Sequence, residues 1–144
     1  MKHEELTERI IGVFYTVYHD LGHGFLESIY QKAFTVILKE QGFTFQEQMP
    51  IRISYRSVDL DEFRADLVVD STVLVELKAV QMLESAHEKQ VLNYLKATNI
   101  EASTPATATP ALAGDPGGLL CNFGPRPQVR RLVLDNERKL AAGA

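Results

Sequence analysis

At 144 residues, 45% hydrophobic and 24% charged, the chain has the make-up of one ordinary globular domain, residues 1–144, that can fold without disulfides. Its net charge of −4 argues against a general nucleic-acid coat protein, which needs a basic surface to neutralise phosphate, yet leaves room for an acidic metal centre. One cysteine, Cys121, excludes an internal disulfide or thiolate cluster; with no apolar run of membrane-spanning length and no signal peptide at Met1, we expect a cytoplasmic protein with no membrane partner.

Leu6, Ile10, Val13, Phe14, Val17 and Leu21 recur at helical spacing, so residues 4–20 read as an amphipathic helix that stops at Asp20-Leu21-Gly22-His23-Gly24. A second helix follows, with Leu26, Ile29, Tyr30, Ala33, Phe34, Ile37 and Leu38 as its stripe and Gly42 at its end. Over residues 43–57 the period changes to that of a strand, in which Pro50 predicts an edge strand or two pieces around a bend. Met82 to Thr98 reads as a third helix. The Pro-, Gly-, Ala- and Thr-rich stretch 100–117 reads as a flexible surface loop, and 118–123 and 128–134 as two strands around Gly124-Pro125-Arg126-Pro127. A polar tail, 135–144, closes the chain. This order predicts an α/β protein with a mixed central sheet flanked by helices.

Chemistry concentrates in Arg64-Ala-Asp-Leu-Val-Val-Asp-Ser-Thr-Val-Leu-Val-Glu-Leu-Lys78. Two apolar runs, Asp66–Val69 and Val73–Leu77, flank the polar break Asp70-Ser71-Thr72, a hairpin signal. A three-residue loop pairs Val69 with Val73, and counting back sets Asp66 opposite Glu76. Alternation then puts Asp66, Glu76 and Lys78 on one face and Leu67, Val69, Val73, Val75 and Leu77 on the other. Opposed carboxylates repel, so this hairpin calls for a cation: Lys78, or a hard divalent ion such as Mg²⁺ held by carboxylate oxygens.

Asp, nine residues, then Glu-x-Lys resembles the active-site signature of the PD-(D/E)XK nuclease superfamily. Gly24-Phe-Leu-Glu27-Ser-Ile-Tyr30 spells G-x-x-E-x-x-Y, and with the hairpin the chain is similar to the GxxExxY family within that superfamily. The likeness runs from about Leu6 to Lys96 and resumes at Gly118-Leu-Leu-Cys-Asn-Phe-Gly124. It implies a restriction-endonuclease-like core and Mg²⁺- or Mn²⁺-dependent phosphodiester hydrolysis of nucleic acid, with DNA the expected substrate. Glu27, Asp66 and Glu76 would hold the metal with a backbone carbonyl from Leu77, and Lys78 would orient water or stabilise charge in the transition state. Tyr30 would support the site. The plainer reading of Glu27 is a solvated helix-start carboxylate, and of Lys78 a salt-bridge partner that offsets the two acids. A non-catalytic binding module that retains the fold is the rival function.

Gln90 and Tyr94 share a helix face, and the Gln-x-x-x-Tyr pattern of the superfamily's exonuclease branch implies that both line the site. Core packing for Tyr94 and a rim position for Gln90 is the equal alternative. Scattered basic residues such as Arg52, Arg56 and Arg130 read as solvated surface. Lys89 and Lys96, seven apart on one helix, are the better candidates for nucleic-acid contact. His19 and His23 read as surface histidines. Oligomeric state stays open, a homodimer included.

Overall fold

The computed structural model describes residues 4–100, 112 and 117–134, the side chains of 99 and 100 excepted. Its elements are α1 (Glu4–Leu21), α2 (Glu27–Glu40), β1 (Phe45–Tyr55), β2 (Val58–Val69), β3 (Val73–Lys78), α3 (Ser85–Ile100), β4 (Gly117–Phe123) and β5 (Pro127–Val133). The strands form one mixed sheet in the order β1-β2-β3-β4-β5, antiparallel except for the β3–β4 pair. The α/β sheet flanked by helices expected above is therefore observed. The expected loop 100–117 lies outside the described residues apart from Ile100, Leu112 and Gly117, and the tail 135–144 lies outside them entirely.

Two apolar layers hold the sheet. Ile10, Phe14 and Val17 of α1 and Phe34 and Leu38 of α2 bury one face against Leu67, Val69, Val73, Val75 and Leu77. That is the apolar hairpin face that alternation assigns. Val91, Tyr94 and Leu95 of α3 cover the other face, over Val68, Leu74 and Leu120. β3 and β4 are thus buried on both sides, as strands in a parallel pair generally are. Among the described residues, no helix is long and apolar enough to cross a membrane.

Val69 pairs with Val73, Val68 with Leu74 and Leu67 with Val75, the predicted register. Asp70 and Ser71 take positive φ of 51° and 55° to make the turn. Asp70 Oδ1 accepts the Thr44 N–H at 3.1 Å and the Thr44 hydroxyl at 2.8 Å, which ties the turn to the segment entering β1.

Of the two outcomes Pro50 predicts, the edge strand is observed: β1 runs unbroken through it, because at the edge it needs no donor there on its open side. The structure departs from the sequence reading in two places. β2 begins at Val58, eight residues before Asp66, so β1 and β2 form a long arm around a two-residue turn at Arg56-Ser57. α3 starts at Ser85 rather than Met82, which is exposed; His87 Nδ1 accepts the Glu84 N–H at 2.9 Å at the helix entrance.

The arm also changes face. Phe45 joins the α1/α2 layer, whereas Met49 and Ile51 join the α3 layer, although all are odd-numbered. Between them Gln48 has φ of 50°, a left-handed conformation that few non-glycine residues adopt. On β2, Ala65 joins the α3 layer and Leu67 the α1/α2 layer, so the switch there falls around Asp66.

Candidate active site

The β2–β3 ladder ends at Leu67 and Val75. At the next position side chains replace backbone pairing. Glu76 Oε1 accepts the Asp66 N–H at 3.2 Å, and Asp66 Oδ2 accepts the Leu77 N–H at 2.8 Å. The two acids meet where the face switches and where the sheet passes from β1–β2 arm to core. Glu76 is 4% exposed; Asp66 is partly buried. Burial foremost, then the Asp66 charge and a side-chain hydrogen bond to it, push Glu76 from 4.5 up to about 9. The Asp66 N–H and the Lys78 charge pull the other way without offsetting this.

Lys78 ends β3, partly exposed. Glu76 senses its charge, yet Lys78 has no ion pair within 4.0 Å among the described residues. Its ammonium does not sit between the acids as a structural counter-ion.

Tyr94 is buried, and its hydroxyl is pushed up to about 12, by burial first and then by the charges of Glu76 and Asp66. Tyr94 therefore lies in the field of both acids. Gln90, one turn earlier and partly exposed, lines a groove of about 560 Å³ together with Tyr94. Lys89 and Lys96 stand on the same groove.

Glu27 is exposed, at the first position of α2. Among the described residues no group of three or more His, Cys, Asp or Glu side chains could hold a metal ion. The structure therefore brings Asp66 and Glu76 together but does not gather Glu27 with them. Gln31, one helical turn beyond Glu27, is the α2 residue that reaches the arm. Its Oε1 accepts from Gln48 Nε2 at 2.9 Å, and the same Nε2 approaches Asp66 Oδ1 at 3.5 Å. Nothing in the sequence marks Gln48, because its left-handed backbone is set by the arm and not by a turn motif.

Tyr30 is fully buried and away from the acids' polar contacts. Its ring stacks on Phe123 with centroids 4.1 Å apart, and its hydroxyl donates to the Gly22 carbonyl at 2.6 Å and accepts from Phe25 N–H at 3.2 Å. It clamps the loop that leads into Glu27. Gly24 in that loop has φ of 112°, which a side chain would strain. The glycine and tyrosine of G-x-x-E-x-x-Y thus fix where α2 begins.

Asn122 performs a similar service on the far side of β3. It is fully buried; its Oδ1 accepts the Val80 N–H at 2.9 Å, and its Nδ2 donates to the Val80 carbonyl and to Gln128 Oε1, each at 3.0 Å. Gln128 Oε1 also accepts the Leu83 N–H at 2.9 Å, so the segment linking β3 to α3 is held at both ends. Cys121 beside it is fully buried, its thiol pushed up by burial, and belongs to the core.

A family model for the PD-(D/E)XK nuclease superfamily matches residues 4–104, which include both acids, Lys78 and α3. The chain belongs to the PD-(D/E)XK nuclease superfamily. The mixed sheet and flanking helices agree with the restriction-endonuclease-like fold of such nucleases, which generally use divalent metals and act on nucleic acid. The chain is also similar to the crystal structure of SSO0001, at 17% identity and a TM-score of 0.49, over 80% of this chain and 55% of that one. It spans little more than half of that protein's length. No curated protein matches it.

The donor set of this PD-(D/E)XK chain suits a hard divalent cation. Two carboxylates approach in a mostly apolar setting, one almost fully buried, and no lysine or arginine is in ion-pair contact with either among the described residues. Oxygen ligands of this kind favour Mg²⁺ or Mn²⁺ over softer ions.

Proposed function

We propose that the chain is a metal-dependent nuclease of the GxxExxY family, folded as one domain and hydrolysing phosphodiester bonds, with DNA as its substrate. The observation that carries this reading is the Asp66–Glu76 pair, set across two strands with Glu76 buried and no lysine or arginine in ion-pair contact among the described residues. Asp66, Glu76 and the Leu77 carbonyl would hold Mg²⁺ or Mn²⁺, and Glu27, which lies exposed at the start of α2 and outside the pair, would have to move to join them. The bound ion supplies Lewis acidity and charge neutralisation at the phosphodiester.

The remaining work falls to side chains of this chain. Lys78, near Glu76 but unpaired with it, orients the attacking water or steadies the charge on phosphorus. Water adds to phosphorus, the bond to the leaving sugar oxygen breaks, and the proton lost by water ends on that oxygen or in solvent. Gln90 and Tyr94 border the reacting phosphate; Lys89 and Lys96 hold the strand beside it.

The exposed position of Glu27, outside the acidic pair, is the one observation that favours a second reading: a nucleic-acid-binding module that retains the fold without turnover. Incubating the protein with end-labelled DNA in Mg²⁺ or Mn²⁺ separates the two. The nuclease reading expects cleavage that EDTA stops and that Asp66→Asn and Lys78→Ala abolish. Binding without cleavage across both metals selects the module.

A further inference from the structure

The groove that Tyr94 lines, whose walls include neither acid, has a composition that the hydrolytic centre does not require. Ile53 of β1 and Phe63 of β2 form one wall, and α3 forms the other with Gln90, Asn93 and Tyr94. Phe63 and Tyr94 meet with centroids 5.5 Å apart, tilted by 38°. Tyr94 is buried beneath, so Phe63, 37% exposed, is the ring that faces the groove's occupant. A volume of about 560 Å³ is in the usual range for a small-ligand site and too small for a duplex.

We propose that this groove binds an unstacked nucleobase of single-stranded DNA on the Phe63 ring, making a single strand the preferred substrate. The proposal deepens the nuclease reading above and rests on it. Three features support this occupant. A base inside a duplex has both faces covered, so it cannot stack on Phe63 unless it is extruded at a cost of a few kcal/mol. Gln90 and Asn93 offer amide donors and acceptors at the groove, suited to the polar edge of a base. Lys89 and Lys96 lie on one helix, about 10 Å apart along its axis at 1.5 Å per residue, a spacing that follows one backbone. Arg52 also lines the groove but is paired with Asp59 at 3.2 Å and Glu62 at 3.7 Å, so the lysines are the groove's main phosphate partners. Tyr94 lines the groove and also feels the charges of Glu76 and Asp66, so a base seated on Phe63 would place its neighbouring phosphate on the side of the acids.

The test is fluorescence anisotropy with a labelled 12-nucleotide oligothymidylate and a labelled 12-base-pair duplex, in calcium and again in EDTA. The single strand should bind at least about tenfold more tightly than the duplex. Phe63→Leu should weaken single-strand binding about tenfold, in line with loss of base–aromatic stacking, whereas Phe63→Tyr stays near wild type. Lys89→Ala with Lys96→Ala should make the slope of log affinity against log salt shallower by about 1.4, which provides a readout should Phe63→Leu fail to fold. Equal or tighter duplex binding, unchanged single-strand affinity in folded Phe63→Leu, or an unchanged salt slope in the double lysine variant overturns the proposal. Metal-dependent cleavage of duplex with no single-strand binding would remove this inference and leave the nuclease reading standing.

Discussion

Glu76 accepts a hydrogen bond from the backbone of Asp66 at 3.2 Å, so the two acids of the signature are linked through main chain as well as through charge. The Asp66 carboxylate in turn accepts the Leu77 N–H at 2.8 Å. These contacts finish the β2–β3 pairing with side chains. They also lock in an electrostatic cost, because Glu76 is buried beside a like charge.

That cost has a pH signature in the metal-free protein. Glu76 is pushed from 4.5 up to about 9, so between those values the folded state holds a proton that the unfolded state has lost. Its contribution to stability is complete below the unfolded value and disappears as pH rises through the folded one. In EDTA, the Tm of wild type should therefore fall between pH 6 and pH 9 relative to that of Glu76→Gln, by on the order of 5 °C. Mg²⁺ or Mn²⁺ should restore it, most at the alkaline end. A wild-type-minus-variant Tm difference that stays flat across this range would contradict the assignment.

Gln48 is held at φ 50° while its amide reaches toward Asp66 and Gln31. Glycine tolerates that backbone better than alanine. Gln48→Gly should be more stable than Gln48→Ala by about 1 kcal/mol in urea denaturation. Both should lower cleavage, because each loses the amide that steadies Asp66. Equal stability of the two variants would show that the left-handed backbone does not persist in solution.

Tyr30 should act on folding rather than on chemistry. Tyr30→Phe keeps the stack on Phe123 and loses two hydrogen bonds to the Gly22–Phe25 loop. A loss of about 1–3 kcal/mol is expected, with metal affinity changed less than about threefold. A large loss of metal affinity at unchanged stability would move Tyr30 into the site itself.

Gly124 is required by close approach. A Cβ there would lie 2.2 Å from the Val80 carbonyl oxygen and 2.9 Å from Asn122 Nδ2. Gly124→Ala must displace the clamp that positions the β3–α3 segment, at a cost of about 3 kcal/mol. Denaturant midpoints for this variant and for Asn122→Ala should shift in the same direction, since both open the same clamp.

The meeting of Asp66 with Glu76 was legible because its signals are local. Three polar residues between β-branched runs dictate the hairpin turn, and the turn dictates that Asp66 faces Glu76. The apolar face of Leu67, Val69, Val73, Val75 and Leu77 follows from alternation alone, and the layer beneath α1 and α2 agrees with it. The arm was not legible: Asp59, Asp61 and Glu62 make the start of β2 read as polar, and the Arg56-Ser57 turn lacks the glycine that marks most two-residue hairpins. The face switch at Gln48 is invisible for a related reason, since it depends on long-range packing against two different helices. In the sequence Phe63 stands between Glu62 and Arg64 with no pattern to single it out. Only the meeting of β2 with α3 makes it a wall of the groove.

The most direct test is the rate at which Glu76→Gln cleaves single- and double-stranded DNA in Mg²⁺ or Mn²⁺, against wild type. Glutamine reproduces the size and neutrality of protonated Glu76, so the variant should keep the fold, checked by circular dichroism. The account predicts cleavage by wild type that EDTA stops, and a fall of about 100-fold or more in the variant. Cleavage by folded Glu76→Gln at the wild-type rate, or no cleavage of either substrate by wild type in either metal, would contradict it.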